Sequence, residues 1–152
     1  MTIQWIFAAL HVLALGIGLG AIWGRRRAFL GLLDDRGLDR LFYADSMWGM
    51  AALLWVLTGL ARAFGGLGKG TAYYLASDAF IIKMALSVLI LLLEIGPMIT
   101  PIRWRRARRR GLSIDTSRAR TYATISTIQA LLLVGMVLAA TAMARGLGVD
   151  LF

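Results

Sequence analysis

No cysteine occurs in this chain of 152 residues, and it holds one histidine, His11, and two prolines. Without thiols there is no disulfide, no thiolate metal site, no cysteine nucleophile and no iron–sulfur cluster. One histidine also excludes the paired-histidine zinc motifs within a single chain. Charge is scarce: Asp, Glu, Lys and Arg make up 16% of the residues, where a soluble domain carries about 25%. Hydrophobic residues reach 59%, above the usual 45–50% or so. Together these shortages exclude an ordinary soluble globule. They leave one membrane domain over residues 1–152, whose chemistry must rest on a few polar side chains.

Four apolar runs are present, at about residues 3–23, 41–64, 78–100 and 121–144. Each is long enough for a hydrocarbon layer, which takes about 20 residues of helix, and backbone hydrogen bonding in lipid forces each to be helical. The fold class is therefore an all-α, integral-membrane four-helix bundle. Arg25, Arg26 and Arg27 follow the first run as a stop-transfer signal does, so that run is expected to be retained rather than cleaved.

Charge sets the orientation. Arg25, Arg26, Arg27, Arg36 and Arg40 lie between runs one and two, and eight arginines lie between Arg103 and Arg120. The other side holds only Lys69, Arg145 and Arg62 at a span end, so the positive-inside rule places both termini away from the cytoplasm. The net charge of +9 would suggest nucleic acid in a soluble protein. Here the cations flank spans, and no nucleic-acid partner is expected. Trp23, Tyr43, Trp104 and Tyr122 at one side, with Trp5, Tyr73 and Tyr74 at the other, read as interfacial anchors.

Small residues suggest close packing. Gly16, Gly20 and Gly24 recur every four residues, as do Gly49, Ala52, Val56, Gly59 and Ala63 at mixed three- and four-residue steps. Such stripes let another helix approach, within the chain or from a partner. The connection GGLGKGTAYYLAS, residues 65–77, has Gly-Lys but then Gly70 instead of the Ser or Thr a phosphate loop needs. It reads as a flexible loop with an interfacial tyrosine pair.

Ionisable groups inside spans cost about 2.5–3.5 kcal/mol each on insertion scales, which makes each a candidate functional residue. They are His11, Asp45, Lys83 and Glu94, with Gln129 as a neutral polar partner. At about 1.5 Å per helical residue, His11 and Lys83 both lie on the order of 8–12 Å deep from the terminal side. Asp45 and Glu94 form an acidic layer near the other face. Lys83, Ser87 and Glu94 share one helical face, which must look inward. For His11 the readings are a buried structural imidazole, a cofactor ligand or a proton carrier. Lys83 is either a functional cation or a snorkelling one. Asp45 pairs with Arg40 or Arg105 or acts catalytically, and Glu94 near Pro97 and Pro101 either serves a site or marks a kinked helix end.

A lone histidine in a bundle suffices to ligate one haem iron, since imidazole suits iron and bundles place such sites between facing helices. The second axial position is either empty or filled by Lys83, by a methionine such as Met47, Met50 or Met84, or by a histidine from another subunit. An Arg or Lys would pair with the propionates.

The runs LHVLALG around His11, YADSMWGMAALLWVLTGLAR from Tyr43 to Arg62 and GKGTAYYLASDAFIIKM from Gly68 to Met84 resemble an uncharacterised family of small bacterial four-helix membrane proteins. The likeness covers about the first 110 residues and implies a multi-pass protein of the bacterial inner membrane. More distantly, His in the first span and Lys in the third are similar to the arrangement in HemJ-type protoporphyrinogen oxidases. That resemblance implies a haem b or related tetrapyrrole, with His11 as the iron ligand and Lys83 as the catalytic or propionate-binding residue.

Three functions follow as expectations. The first is a membrane redox protein binding a haem or porphyrin, with quinone as acceptor, cofactor-binding residues His11, Lys83, Met84 and Arg62, and catalytic residues Lys83 and Asp45. The second is an accessory subunit of a membrane complex, or a homo-oligomer packed through the small-residue stripes. The third is a proton or ion carrier along the Lys83–Ser87–Glu94 face.

Overall fold

A computed structural model describes residues 2–68, 71–75 and 77–145, with the side chains of Tyr73, Tyr74, Met143 and Ala144 outside the description. The described chain forms α1 (Thr2–Leu30), α2 (Asp35–Phe64), the short α3 (Thr71–Leu75), α4 (Asp78–Arg109) and α5 (Ala119–Ala144). The four long helices are each long and apolar enough to cross a membrane. Each outruns its apolar run at one end or both. Once a helix leaves the hydrocarbon its backbone bonds continue, while its side chains turn polar.

α1 packs against α2 and α5, and α4 against α5 and, more sparingly, α2. The helices thus close a ring in the order α1, α2, α4, α5, with α1 diagonal to α4. Both the α1–α2 and the α4–α5 turns lie at one end, called here the loop end, and the chain termini at the other.

The inward face of α1 follows a three–four spacing through His11, Ala14, Gly18, Ile22, Arg25 and Phe29, all buried. Two apolar clusters fill the bundle. The central one holds Ile22, Trp48, Trp55, Ile90, Leu133 and Met136, and the second, at the loop end, holds Phe29, Leu41, Trp104 and Tyr122. Trp104 and Tyr122 are therefore core residues, not interfacial anchors. Trp5, Trp23 and Tyr43 are exposed and suit the anchor role. α4 runs on through Pro97 and Pro101, both fully buried, so the helix does not end there.

The glycine stripe is used differently from the expectation. A Cβ on Gly16 or Gly20 would meet nothing within 4 Å, and one on Gly24 only the Ala44 methyl. On α1 the glycine that admits a neighbour is Gly18, where a Cβ would lie 2.9 Å from the Trp48 ring. The expected loop at residues 65–77 contains α3, while Lys69 and the Tyr73 and Tyr74 side chains lie outside the described parts.

The α1–α2 turn depends on one residue. Asp34 caps α2 by accepting from the Gly37 amide at 2.8 Å, and a Cβ on Gly37 would fall 1.8 Å from the Leu32 carbonyl oxygen. Because that atom is backbone, the turn itself would have to move. Gly37→Ala should cost about 3 kcal/mol in reversible unfolding in mixed micelles. Gly16→Ala, with open space around it, should be neutral or stabilising by about 0.5–1 kcal/mol through helix propensity.

Candidate functional site

Two polar assemblies lie inside the bundle, near opposite ends. At the terminal end a cavity of about 750 Å³ opens between the helices, lined by His11, Trp55, Gly59, Arg62, Lys83 and Met136 among others. α1 supplies the imidazole and α4, on the diagonal, supplies the ammonium. α2 adds the guanidinium and an aromatic wall.

The imidazole is held in one setting. Its Nδ1 lies 2.9 Å from Thr58 Oγ1 and 3.1 Å from the Trp55 carbonyl oxygen. The Thr58 hydroxyl gives its own proton to the Leu54 carbonyl at 2.7 Å. Both atoms facing Nδ1 therefore accept, so Nδ1 carries the ring proton and Nε2 keeps the lone pair. The ring also stacks on Trp55, with centroids 5.8 Å apart and planes at 19°. Space for it is made by Gly59, where a Cβ would lie 3.1 Å from His11 Cε1. A hydrogen-bonded Nδ1–H behind a free Nε2 is how proteins commonly present an imidazole to a metal.

Arg62 lies near enough for its charge to act on both His11 and Lys83. Among the described residues neither cation has a carboxylate within ion-pair distance. Two like charges beside an apolar wall, without an internal acid, favour an anionic guest.

Toward the loop end lies the second assembly. Arg25, with no exposed side-chain surface, bonds Glu94 through both terminal nitrogens, at 2.5 and 2.8 Å, and Gln129 Oε1 at 2.9 Å. Its Nη1 is also 3.4 Å from Asp45, whose other oxygen is 3.3 Å from Arg105. Gln129 returns a bond to Glu94 at 2.8 Å and one to the Ile90 carbonyl at 3.2 Å. Two acids and two arginines balance, and all four long helices contribute to the knot.

Several expectations need correction on this geometry. Asp45 lies in the loop-end layer, as its depth in the span predicts, and takes no part in the cavity: it belongs to the ion knot, fourteen residues, about 21 Å of helix, from Gly59 of the cavity wall. Its partners are Arg25 and Arg105, not Arg40. Met84 is 37% exposed on the outside of α4 and is absent from the cavity wall, where Met136 of α5 stands instead. Met47 packs on the central core and Met50 is exposed, so neither reaches His11. Arg25 was read only as a topology signal, yet it is the most buried charge in the described structure. The inward spacing of α1 was the signal that could have found it.

Between the two assemblies is a buried apolar layer. Ile22 and Ile90 have no exposed surface, and Leu133, Trp48 and Trp55 close the section around them. Lys83 and Glu94 are about 16 Å apart along α4, with Ser87 between them bonding the Lys83 carbonyl and facing the Met136 sulfur. Among the described residues, one hydroxyl is the polar side chain between Lys83 and Glu94 on that face of α4.

A family model described as a predicted membrane protein, DUF2214, matches residues 3–148, and the chain belongs to that family. The match extends the likeness from the first 110 residues to nearly the whole chain. No curated protein and no solved structure matches the chain. Neither comparison shows a likeness to HemJ-type oxidases.

Proposed function

We propose that this membrane protein is a redox protein of the bacterial inner membrane that holds a b-type haem or related tetrapyrrole in the terminal-end cavity. One observation carries the reading: an imidazole with its Nδ1 fixed and its Nε2 available shares a largely apolar hollow with two cations that have no described acid. The residues suit the group. A volume of about 750 Å³ falls within the roughly 300–1,000 Å³ typical of ligand pockets, and the donor set is an imidazole for iron with guanidinium and ammonium for carboxylates.

His11 would hold the iron through Nε2. Thr58 and the Trp55 carbonyl would fix its tautomer, and Arg62 and Lys83 would pair with the propionates. Trp55 and Met136 would exclude water from the face of the ring. A bound haem supplies one-electron exchange, with a quinone as the partner. Lys83, the cation on the diagonal helix from His11, is the residue placed to hold or pass a proton at the edge of the guest.

The test is a reduced-minus-oxidised visible spectrum of detergent-purified protein made with haem available. Wild type should give a Soret band and a visible-band pair that His11→Ala removes and that millimolar imidazole restores to the variant. Purified protein without a Soret band, or a band unchanged in His11→Ala, defeats the reading. The open faces of Gly16 and Gly20 favour, as a second reading, packing as a subunit against another membrane helix.

A further inference from the structure

Thirteen of the fifteen arginines lie at the loop end, and neither lysine does. The acids of that end are already engaged. Asp45 and Glu94 belong to the ion knot, Asp35 and Asp39 hold Arg108 at 3.3 and 2.5 Å, Asp34 caps α2, and Asp115 accepts from the Ser117 amide at 2.9 Å. Arg26 is taken by Thr127 and stacks on Trp23. Nine arginines are left, all exposed and none with a carboxylate within ion-pair distance among the described residues. They include Arg103, Arg106, Arg109 and Arg110 at the end of α4 and Arg118 and Arg120 at the start of α5.

Orientation alone needs positive charge and is served equally by lysine. Nine surplus guanidinium groups with no lysine among them go beyond that need. Guanidinium binds a phosphate through two parallel N–H bonds, where ammonium acts as a point charge. Position chooses among phosphates. Arg103 and Arg27 lie within a turn or two of the apolar spans, at the same end of the bundle as exposed Trp23 and Tyr43, where lipid headgroups lie. A soluble anion would have no reason to find its cations at that depth.

We propose that the loop end of the bundle binds anionic phospholipid headgroups of the leaflet it faces, their phosphates bridged by arginines from the end of α4 and the start of α5. The site is separate from the terminal-end cavity, so it stands whether or not a tetrapyrrole is bound there.

Delipidated protein in nonionic detergent tests it by thermal unfolding with added phosphatidylglycerol, phosphatidylcholine, inorganic phosphate or a short RNA. Ligand that binds only the folded state raises Tm by mass action. Phosphatidylglycerol should raise it saturably, by roughly 5 °C, and phosphatidylcholine and phosphate should leave it within a degree. Changing Arg103, Arg106, Arg109 and Arg110 together to Lys keeps the charge and the insertion signal, and should at least halve the rise. The same rise with phosphatidylcholine or inorganic phosphate, a larger one with RNA, or an undiminished response in the Lys variant overturns the proposal.

Discussion

Arg25→Met should cost about 3–5 kcal/mol of bundle stability, the largest loss expected of any single charge in the described structure. Arg25 has no exposed surface and holds Glu94 bidentately, with Gln129 and Asp45 completing its contacts. Removing it strands a carboxylate that the surrounding helices shield from water, and an uncompensated buried charge is far costlier than a pair is stabilising. Asp45 suffers less because Arg105 still faces it at 3.3 Å. The double change Arg25→Met with Glu94→Leu should recover most of the loss, since an apolar pair of similar volume often replaces a buried ion pair at little cost. Unfolding in mixed micelles, arranged as a double-mutant cycle, reads both effects. Arg27→Met, two residues along on an exposed face, should stay within about 0.5 kcal/mol. A loss below about 1 kcal/mol for Arg25→Met would show that the knot does not tie the helices together.

The contrast between Arg25 and Arg27 marks where the sequence stops being informative. Three consecutive arginines after an apolar run look alike to any rule that counts charge, and the positive-inside rule counts charge. Only helical phase separates them. Arg25 continues the inward series of His11, Ala14, Gly18 and Ile22, whereas Arg26 and Arg27 turn aside. Spans were legible because lipid leaves an apolar segment of 20 residues no conformation but helix. Helix ends were less so, as hydrogen bonding continues past Trp23 to Leu30 after hydropathy has fallen.

Pairing between helices was least legible of all. The sequence offers Gly16, Gly20 and Gly24 as a contact stripe, yet Gly18 receives Trp48, because packing is decided by which bulky side chain stands opposite and not by spacing alone. His11 and Lys83 were recognisable by depth and rarity. That they share a hollow followed from the diagonal of the ring, which depth estimates left open between neighbours and opposites. Thr58 escaped notice and Gly59 was seen only as part of a packing stripe, although each acts directly on the imidazole. A threonine in a membrane helix is too common to stand out, and a glycine in a stripe does not show which neighbour it admits until a ring is seen resting on it.

The cavity's two cations give the second large effect. If Arg62 and Lys83 pair with carboxylates, each charge-assisted bond is worth about 1.5–3 kcal/mol, equivalent to roughly 10- to 150-fold in affinity. Arg62→Gln with Lys83→Met should therefore weaken a porphyrin diacid by about 100-fold or more, with partial losses in the single variants. The useful comparison is the diacid against its dimethyl ester, which has the same ring and metal but no carboxylate. Wild type should prefer the diacid strongly, and the double variant should bind both forms alike, measured by Soret titration in detergent. His11 survives in all of these proteins, so the ligand-field spectrum of whatever binds should be unchanged while the affinity falls. That separation matters because Lys83 and Arg62 repel each other across the hollow, and removing them could stabilise the empty fold. A variant that is no less stable, keeps its spectrum and has lost its preference for the diacid could have changed only in how it grips carboxylates. Equal binding of diacid and ester by wild type would instead mean that the two cations face something other than the guest's acid groups.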